Sequence, residues 1–202
     1  EIGVRLVGSE MCIRDRYGII KDSKGLSIPY NFYNGALKID SDLSEVQQKS
    51  NNNLKRFSNY LAELQTSNPN LVQFNLDELT KDIEAGMYFD SSIPQGYGVG
   101  SSGALVAAIY DKYAKNKITV LENLSREKLL KLKEIFGQME SFFHGKSSGL
   151  DPLNSYLSLP ILINSKDNIE AAGIPSQSKE GKGAVFLSVS YTHLRAHETD
   201  SY

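Results

Sequence analysis

Apolar positions recur every three to four residues through residues 42–66, where Leu54, Phe57, Leu61 and Leu64 fall on one side of a helix that Asn68 and Pro69 terminate. A second stripe of the same period, Leu129, Leu132, Phe136, Met139 and Phe143, predicts a helix capped by Ser125 and ending near Phe143. Residues 103–115, with Leu105 and Ile109 four apart, predict a third helix, and residues 76–84 a short one. Extended segments are predicted at 26–30, 35–40, 72–75, 87–91, 156–163 and 184–187. A turn is expected at 31–34, a loop at 145–152, and irregular structure over the polar stretch 164–183. Strands that cluster before and between long helices, without regular βαβ alternation, indicate an α+β fold and not a doubly wound one.

The pattern breaks most sharply between the strand at 87–91 and the helix at 103–115, at Ile93-Pro-Gln-Gly-Tyr-Gly-Val-Gly-Ser-Ser-Gly-Ala104. Gly96, Gly98 and Gly100 at alternate positions let the backbone take φ > 0 and bring its N–H groups close to an anion. Ser101 and Ser102 follow, and the loop runs into a helix N-terminus, where free N–H groups and the helix dipole favour phosphate. Neither the Walker pattern nor the GxGxxG dinucleotide pattern is present. A plain glycine-rich turn before a helix is the competing reading.

Gln138-Met-Glu-Ser-Phe-Phe-His-Gly-Lys-Ser-Ser-Gly-Leu-Asp151 is the second chemically loaded segment. Glu140 falls at the edge of an apolar helix face, and Asp151 in a Ser/Gly loop before Pro152. A magnesium nucleotide needs hard oxygen ligands, commonly one or two carboxylates with hydroxyl, phosphate and water. Phosphoryl transfer to an alcohol needs in addition a group that orients the hydroxyl and takes its proton. Glu140 and Asp151 can divide those tasks, with a Ser101 or Ser102 hydroxyl completing the metal site. The competing reading is a solvated helix-end Glu and a solvated turn Asp.

The two ends of the chain change the inventory. Residues 6–15 can be encoded by a string whose reverse complement translates as residues 189–198. That relation resembles a sequencing adapter read in opposite directions, so residues 1–16 and 188–202 are set aside as scar. They hold Cys12, His193 and His197, which leaves His144 as the one histidine between them. The chain has 22 Lys+Arg against 24 Asp+Glu, and the ends carry four and five of these, so the remainder is also near neutral. Such a balance lacks the basic footprint of nucleic-acid or anionic-membrane binding. Without cysteine there is no disulfide framework or thiolate zinc site, and no apolar run reaches membrane-spanning length.

Together the two segments resemble the GHMP small-molecule kinases, and within them the mevalonate kinase branch. The loop pattern Pro-x-Gly-x-Gly-Leu-Gly-Ser-Ser-Ala is met by Pro94, Gly96, Gly98, Val99, Gly100, Ser101, Ser102 and Gly103, with Val for Leu and Gly for Ala. Glu140, His144, Gly145, Ser148, Gly149 and Asp151 meet the pattern of Glu, then His-Gly-x-Pro-Ser-Gly-Ile/Val-Asp, with Ser147 for Pro and Leu150 for Ile/Val. Tyr17-Gly-Ile-Ile resembles the tail of the first motif, Gly-Glu-His-Ala-Val-Val, with Tyr17 in place of His.

The resemblance implies that Ser91, Pro94, Gly96, Tyr97, Gly98, Val99, Gly100, Ser101 and Ser102 bind ATP, and that Ser102 and Glu140 hold Mg²⁺. It implies Asp151 as catalytic base on the primary hydroxyl of mevalonate, with Tyr17 and His144 at the substrate pocket, His144 as support for its loop. It further implies a cytoplasmic enzyme of isoprenoid biosynthesis, with a small-molecule substrate, no nucleic-acid or membrane partner, and homodimerisation among its assemblies. In its terms residues 17–155 form the N-terminal ATP-binding domain, a ribosomal-protein-like βαβ sandwich of sheet and helices. Residues 156–187 would begin a truncated ferredoxin-like C-terminal domain. The family's upstream Lys and its later glycine-rich motif are not found, so the 202-residue chain is expected to be inactive. Phosphomevalonate kinase, homoserine kinase and diphosphomevalonate decarboxylase share the glycine loop, and a non-catalytic nucleotide-binding module could use the same fold.

Overall fold

The computed structural model describes residues 7–12, 25–92, 101–119, 124–165 and 168–172. Strand β1 (Val7–Cys12) pairs with the 15-residue strand β2 (Gly25–Ile39), which is the spine of a five-stranded sheet. The predicted turn at 31–34 does not form. β2 runs through it, and the β1–β2 register shifts between Gly8 and Ser9, whose partners are Asn34 and Tyr30. Residues 31–33 are thus taken up as an irregularity within one strand, since pairing on both flanks outweighs the local turn tendency of asparagine. β1 lies inside the end set aside as scar.

Helix α1 (Glu45–Ser67) starts at a capping box: the Gln47 N–H donates to Ser44 Oγ at 3.4 Å, and the Ser44 N–H to Gln47 Oε1 at 2.8 Å. Leu54, Phe57, Leu61 and Leu64 are all buried, as their spacing predicts. The short strand β3 (Gln73–Phe74) and helix α2 (Leu76–Glu84) follow, then β4 (Met87–Ser91), which pairs with residues 35–39 of β2. Buried Asn51 on α1 joins these pieces, donating from Nδ2 to the Ile83 carbonyl at 2.8 Å and to the Met87 carbonyl at 2.7 Å.

Helix α3 (Ser101–Tyr113) begins two residues earlier than expected, so both serines lie in its first turn. Its end passes into β5 (Ala114–Lys115), which pairs with β3. Helix α4 (Arg126–His144) has the predicted Ser125 cap, which accepts from the Lys128 N–H, and buries Leu129, Leu132, Phe136 and Met139.

The region beyond α4 departs from expectation. Residues 150–157 form helix α5 (Leu150–Leu157), where a loop and then a strand were predicted. Tyr156 explains the difference: it packs edge-on against Tyr110 and Phe136 and donates its hydroxyl to the Ile118 carbonyl at 2.8 Å, anchors that a helix supplies. Strand β6 (Ile161–Ser165) therefore starts late, pairing with residues 25–27 of β2, and the polar stretch after it holds strand β7 (Asn168–Ala171), anchored by buried Ile169. Every pairing among the described strands is antiparallel. The extended segment expected at 184–187 lies outside the described residues.

One hydrophobic core unites these elements. It runs from Leu37 on β2 through Leu54 and Phe57 on α1 to Ile109 on α3, Phe136 on α4, Leu153 on α5 and Ile163 on β6. α3 packs against α4 and α5, and this three-helix contact brings together the two segments singled out by chemistry.

Candidate active site

The glycine loop itself, with Pro94, Gly96, Tyr97, Gly98, Val99 and Gly100, lies outside the described residues, as does Tyr17. The helix into which the loop runs carries the first site residues. Ser102, in the first turn of α3, donates its hydroxyl to Glu140 Oε1 at 3.0 Å across 38 residues of sequence. His144, one turn further along α4 than Glu140, places Nε2 3.0 Å from the same Ser102 Oγ. With its proton directed to Glu140, the Ser102 oxygen can accept from His144 Nε2 in the tautomer that carries hydrogen there.

Glu140 is not at a solvated helix edge. It is 3% exposed, and Ser147 donates to its second oxygen, Oε2. Burial above all, and then the negative charge of Asp151, push the Glu140 carboxyl above its ordinary range. Hydrogen bonds from Ser147 and Ser102, and the charge of His144, act in the opposite sense.

Asp151 stands in the first turn of α5 and not in a loop, with Pro152 beside it. Proline is tolerated there, because the first N–H groups of a helix lack intrahelical partners. Gly149 makes this start possible. Its φ of +73° suits glycine, and a Cβ would come within 2.1 Å of the Lys133 carbonyl oxygen and 2.6 Å of the Gly137 nitrogen. Gly103 has a matching role on α3: a Cβ there would lie 2.9 Å from the Asp151 carbonyl carbon and the Pro152 nitrogen. Two close backbone approaches thus set α5 against α3 and α4, with Asp151 electrostatically coupled to Glu140.

A cleft of about 800 Å³ opens beside this cluster. Ser91 at the end of β4, Ser101 and Ser102 on α3, and His144 on α4 line it, while Glu140 and Asp151 do not. Ser102 links the cleft to the buried carboxylate behind it. Lys49, Asn53 and Tyr88 also face the cleft, and no sequence signal marked them, because α1 and β4 read only as core-forming elements. Ser147 was visible only as a departure from a motif.

The oxygens present suit a nucleotide-borne magnesium ion. One carboxylate and one hydroxyl are hard donors on adjacent helices, leaving other coordination positions to phosphate and water. Among the described residues no group of three or more His, Cys, Asp or Glu side chains gathers into a metal site. Among them, too, no helix is long and apolar enough to cross a membrane.

The solved structures similar to this chain include three mevalonate kinases. Mevalonate kinase from methicillin-resistant Staphylococcus aureus MRSA252 is 17% identical, with a TM-score of 0.44, over 84% of this chain and 54% of that one. L. major mevalonate kinase in complex with R-mevalonate is 14% identical, with a TM-score of 0.47, over 85% and 52%. Methanococcus jannaschii mevalonate kinase is 14% identical, with a TM-score of 0.47, over 86% and 57%. The chain therefore spans about half the length of these structures. No curated protein matches it. Residues 61–158 match the family model of the GHMP kinases N terminal domain. The segment that supplies Ser101, Ser102, Glu140, His144 and Asp151 lies wholly within the residues that this GHMP kinase model matches.

Proposed function

We propose that this chain is the ATP-binding part of a cytoplasmic small-molecule kinase that phosphorylates the primary hydroxyl of mevalonate in isoprenoid biosynthesis. The observation that carries the reading is the meeting of Ser102 with Glu140 and His144, which joins the end of the phosphate loop to the carboxylate segment. In this reading main-chain N–H groups from Gly96 to Ser102 hold the triphosphate, with Ser91, Pro94, Tyr97 and Val99 around the nucleotide. Ser102 and Glu140 would hold Mg²⁺, which would supply positive charge to offset that of the phosphates. Asp151 orients the acceptor hydroxyl and takes its proton. The acceptor oxygen bonds to the γ-phosphorus as the bond to the β-phosphate oxygen breaks, and ADP departs. His144 supports Ser102 from α4, and Tyr17 borders the acceptor.

The activity belongs in this proposal to a longer chain, with residues 1–16 and 188–202 foreign to it. The untrimmed reading frame should show a Lys and a Gly-Glu before Tyr17 and a further glycine-rich segment after Leu187.

The test is ATP-dependent phosphorylation by the full-length gene product, assayed on mevalonate, phosphomevalonate and homoserine. Turnover of mevalonate is expected, and Asp151→Asn should lower kcat by at least about 100-fold with ATP affinity nearly unchanged. Turnover of another acceptor alone would overturn the substrate. An equal loss of ATP binding in Asp151→Asn would make Asp151 a metal ligand and not the base.

A further inference from the structure

Ser147 lies in the turn between α4 and α5 and makes two bonds with one hydroxyl. It donates to Glu140 Oε2 and accepts from the Gly149 N–H at 3.0 Å. Glu140 Oε1 is taken by Ser102 from α3. Both oxygens of a nearly fully buried carboxylate are therefore fixed, one by each of the segments that flank it. The turn is also pressed onto α4, since a Cβ on Gly137 would lie 3.2 Å from the Ser147 carbonyl oxygen. Two residues past Gly149 comes Asp151.

We propose that Ser147 is a positioning residue: its hydroxyl sets the rotation of the Glu140 carboxylate and ties it to the turn that delivers Asp151. The inference rests on the reading of Glu140 as a magnesium ligand. The motif that this segment resembles has proline here, which has no hydroxyl to donate and acts on the turn through φ alone. In this chain the hydroxyl restrains the turn through the Gly149 N–H and, as proline cannot, also holds the Glu140 carboxylate. A carboxylate free to rotate in its pocket would present its oxygens to the cation in several orientations. Outer partners that orient a ligand commonly contribute about 10–100-fold to metal affinity.

Binding of Mn²⁺·ATP to the 202-residue chain, read from the enhancement of water proton relaxation, tests this without turnover. Ser147→Ala should weaken binding about tenfold, and Ser147→Thr, which keeps the hydroxyl, should restore it to within about twofold of the parent. Ser147→Pro should bind as poorly as Ser147→Ala. Should Ser147→Ala fail to fold by circular dichroism, Ser147→Cys takes its place, having similar size and only a weak donor. Parent-like binding by Ser147→Ala or Ser147→Pro, with binding lost in Glu140→Gln, overturns the role of Ser147 and leaves Glu140 as ligand. Parent-like binding by Glu140→Gln, or no enhancement by the parent chain, overturns both.

Discussion

Glu140 spends folding energy on a charge that the interior does not favour. Its carboxyl is raised above its ordinary value by burial and by Asp151, so the folded state binds a proton there more readily than the unfolded chain. A contribution of that sign is present at pH below the ordinary carboxylate value and is lost as pH rises through the folded one. Glu140→Gln keeps an oxygen for a serine hydroxyl and removes the buried charge. In the metal-free chain it should raise stability at pH 7 by about 1 kcal/mol, with the gain shrinking as pH falls through the raised folded value and absent below the ordinary value of 4.5, measured by urea unfolding across that range. Asp151→Asn should reduce the gain, because one cause of the upward shift is then gone. A loss of stability on Glu140→Gln at neutral pH would contradict this account. Such tension between stability and site chemistry belongs to groups held for function.

At the scale of elements, the contact between α3 and α5 decides where Asp151 stands. The related loop motif has alanine where this chain has Gly103, and the difference has a structural consequence here. A methyl group would meet the backbone of Asp151 and Pro152 at 2.9 Å, and backbone cannot step aside as a flexible side chain can. Overpacking of this kind costs about 1–3 kcal/mol, against a gain of about 1 kcal/mol in helix propensity. Gly103→Ala should therefore lower stability by about 1 kcal/mol, a fall of a few degrees in Tm by calorimetry. A rise in Tm would show that α5 shifts without resistance. Helix α5 was not legible beforehand: Ser, Gly and Pro around Asp151 read as loop, and the φ of Gly149 together with the packing of Tyr156 in the aromatic cluster favours helix over residues 150–157. By contrast α1 and α4 were legible nearly residue by residue, since their stripes and serine caps are local signals.

Across the whole molecule, α2 and α3 are tied by a polar contact at the margin of the core. Asp82 Oδ2 receives Lys112 Nζ at 2.6 Å and the Tyr113 hydroxyl at 2.6 Å, and the Asp82 side chain is 19% exposed. Partial burial acts against its charge, but the hydrogen bonds from Lys112 and Tyr113 and the charges of Lys112 and Lys81 outweigh it, and its carboxyl titrates below its ordinary value of 3.8. The Tyr113 hydroxyl is pushed upward, by burial first and then by its bond to Asp82. A lowered carboxyl stabilises the fold above its unfolded value and loses that contribution as pH falls through the folded one. Asp82→Asn should cost about 1–2 kcal/mol at pH 7, with the difference from the parent disappearing at acid pH. An equal difference at pH 3 and pH 7 would assign the effect to packing.

The sequence by itself determined the α+β class, the two long amphipathic helices, the run of glycines and serines, and the residue types that could carry phosphoryl transfer. Each is written within a few residues, as a period, a cap or a motif. Tertiary structure alone decided that residues 31–34 stay extended, that Asp151 opens a helix, that Glu140 is buried, and that Ser147 fixes its second oxygen. These follow from pairings and packing between distant segments, where a β2 edge, an aromatic anchor or the absence of a Cβ overrules what the local residues prefer.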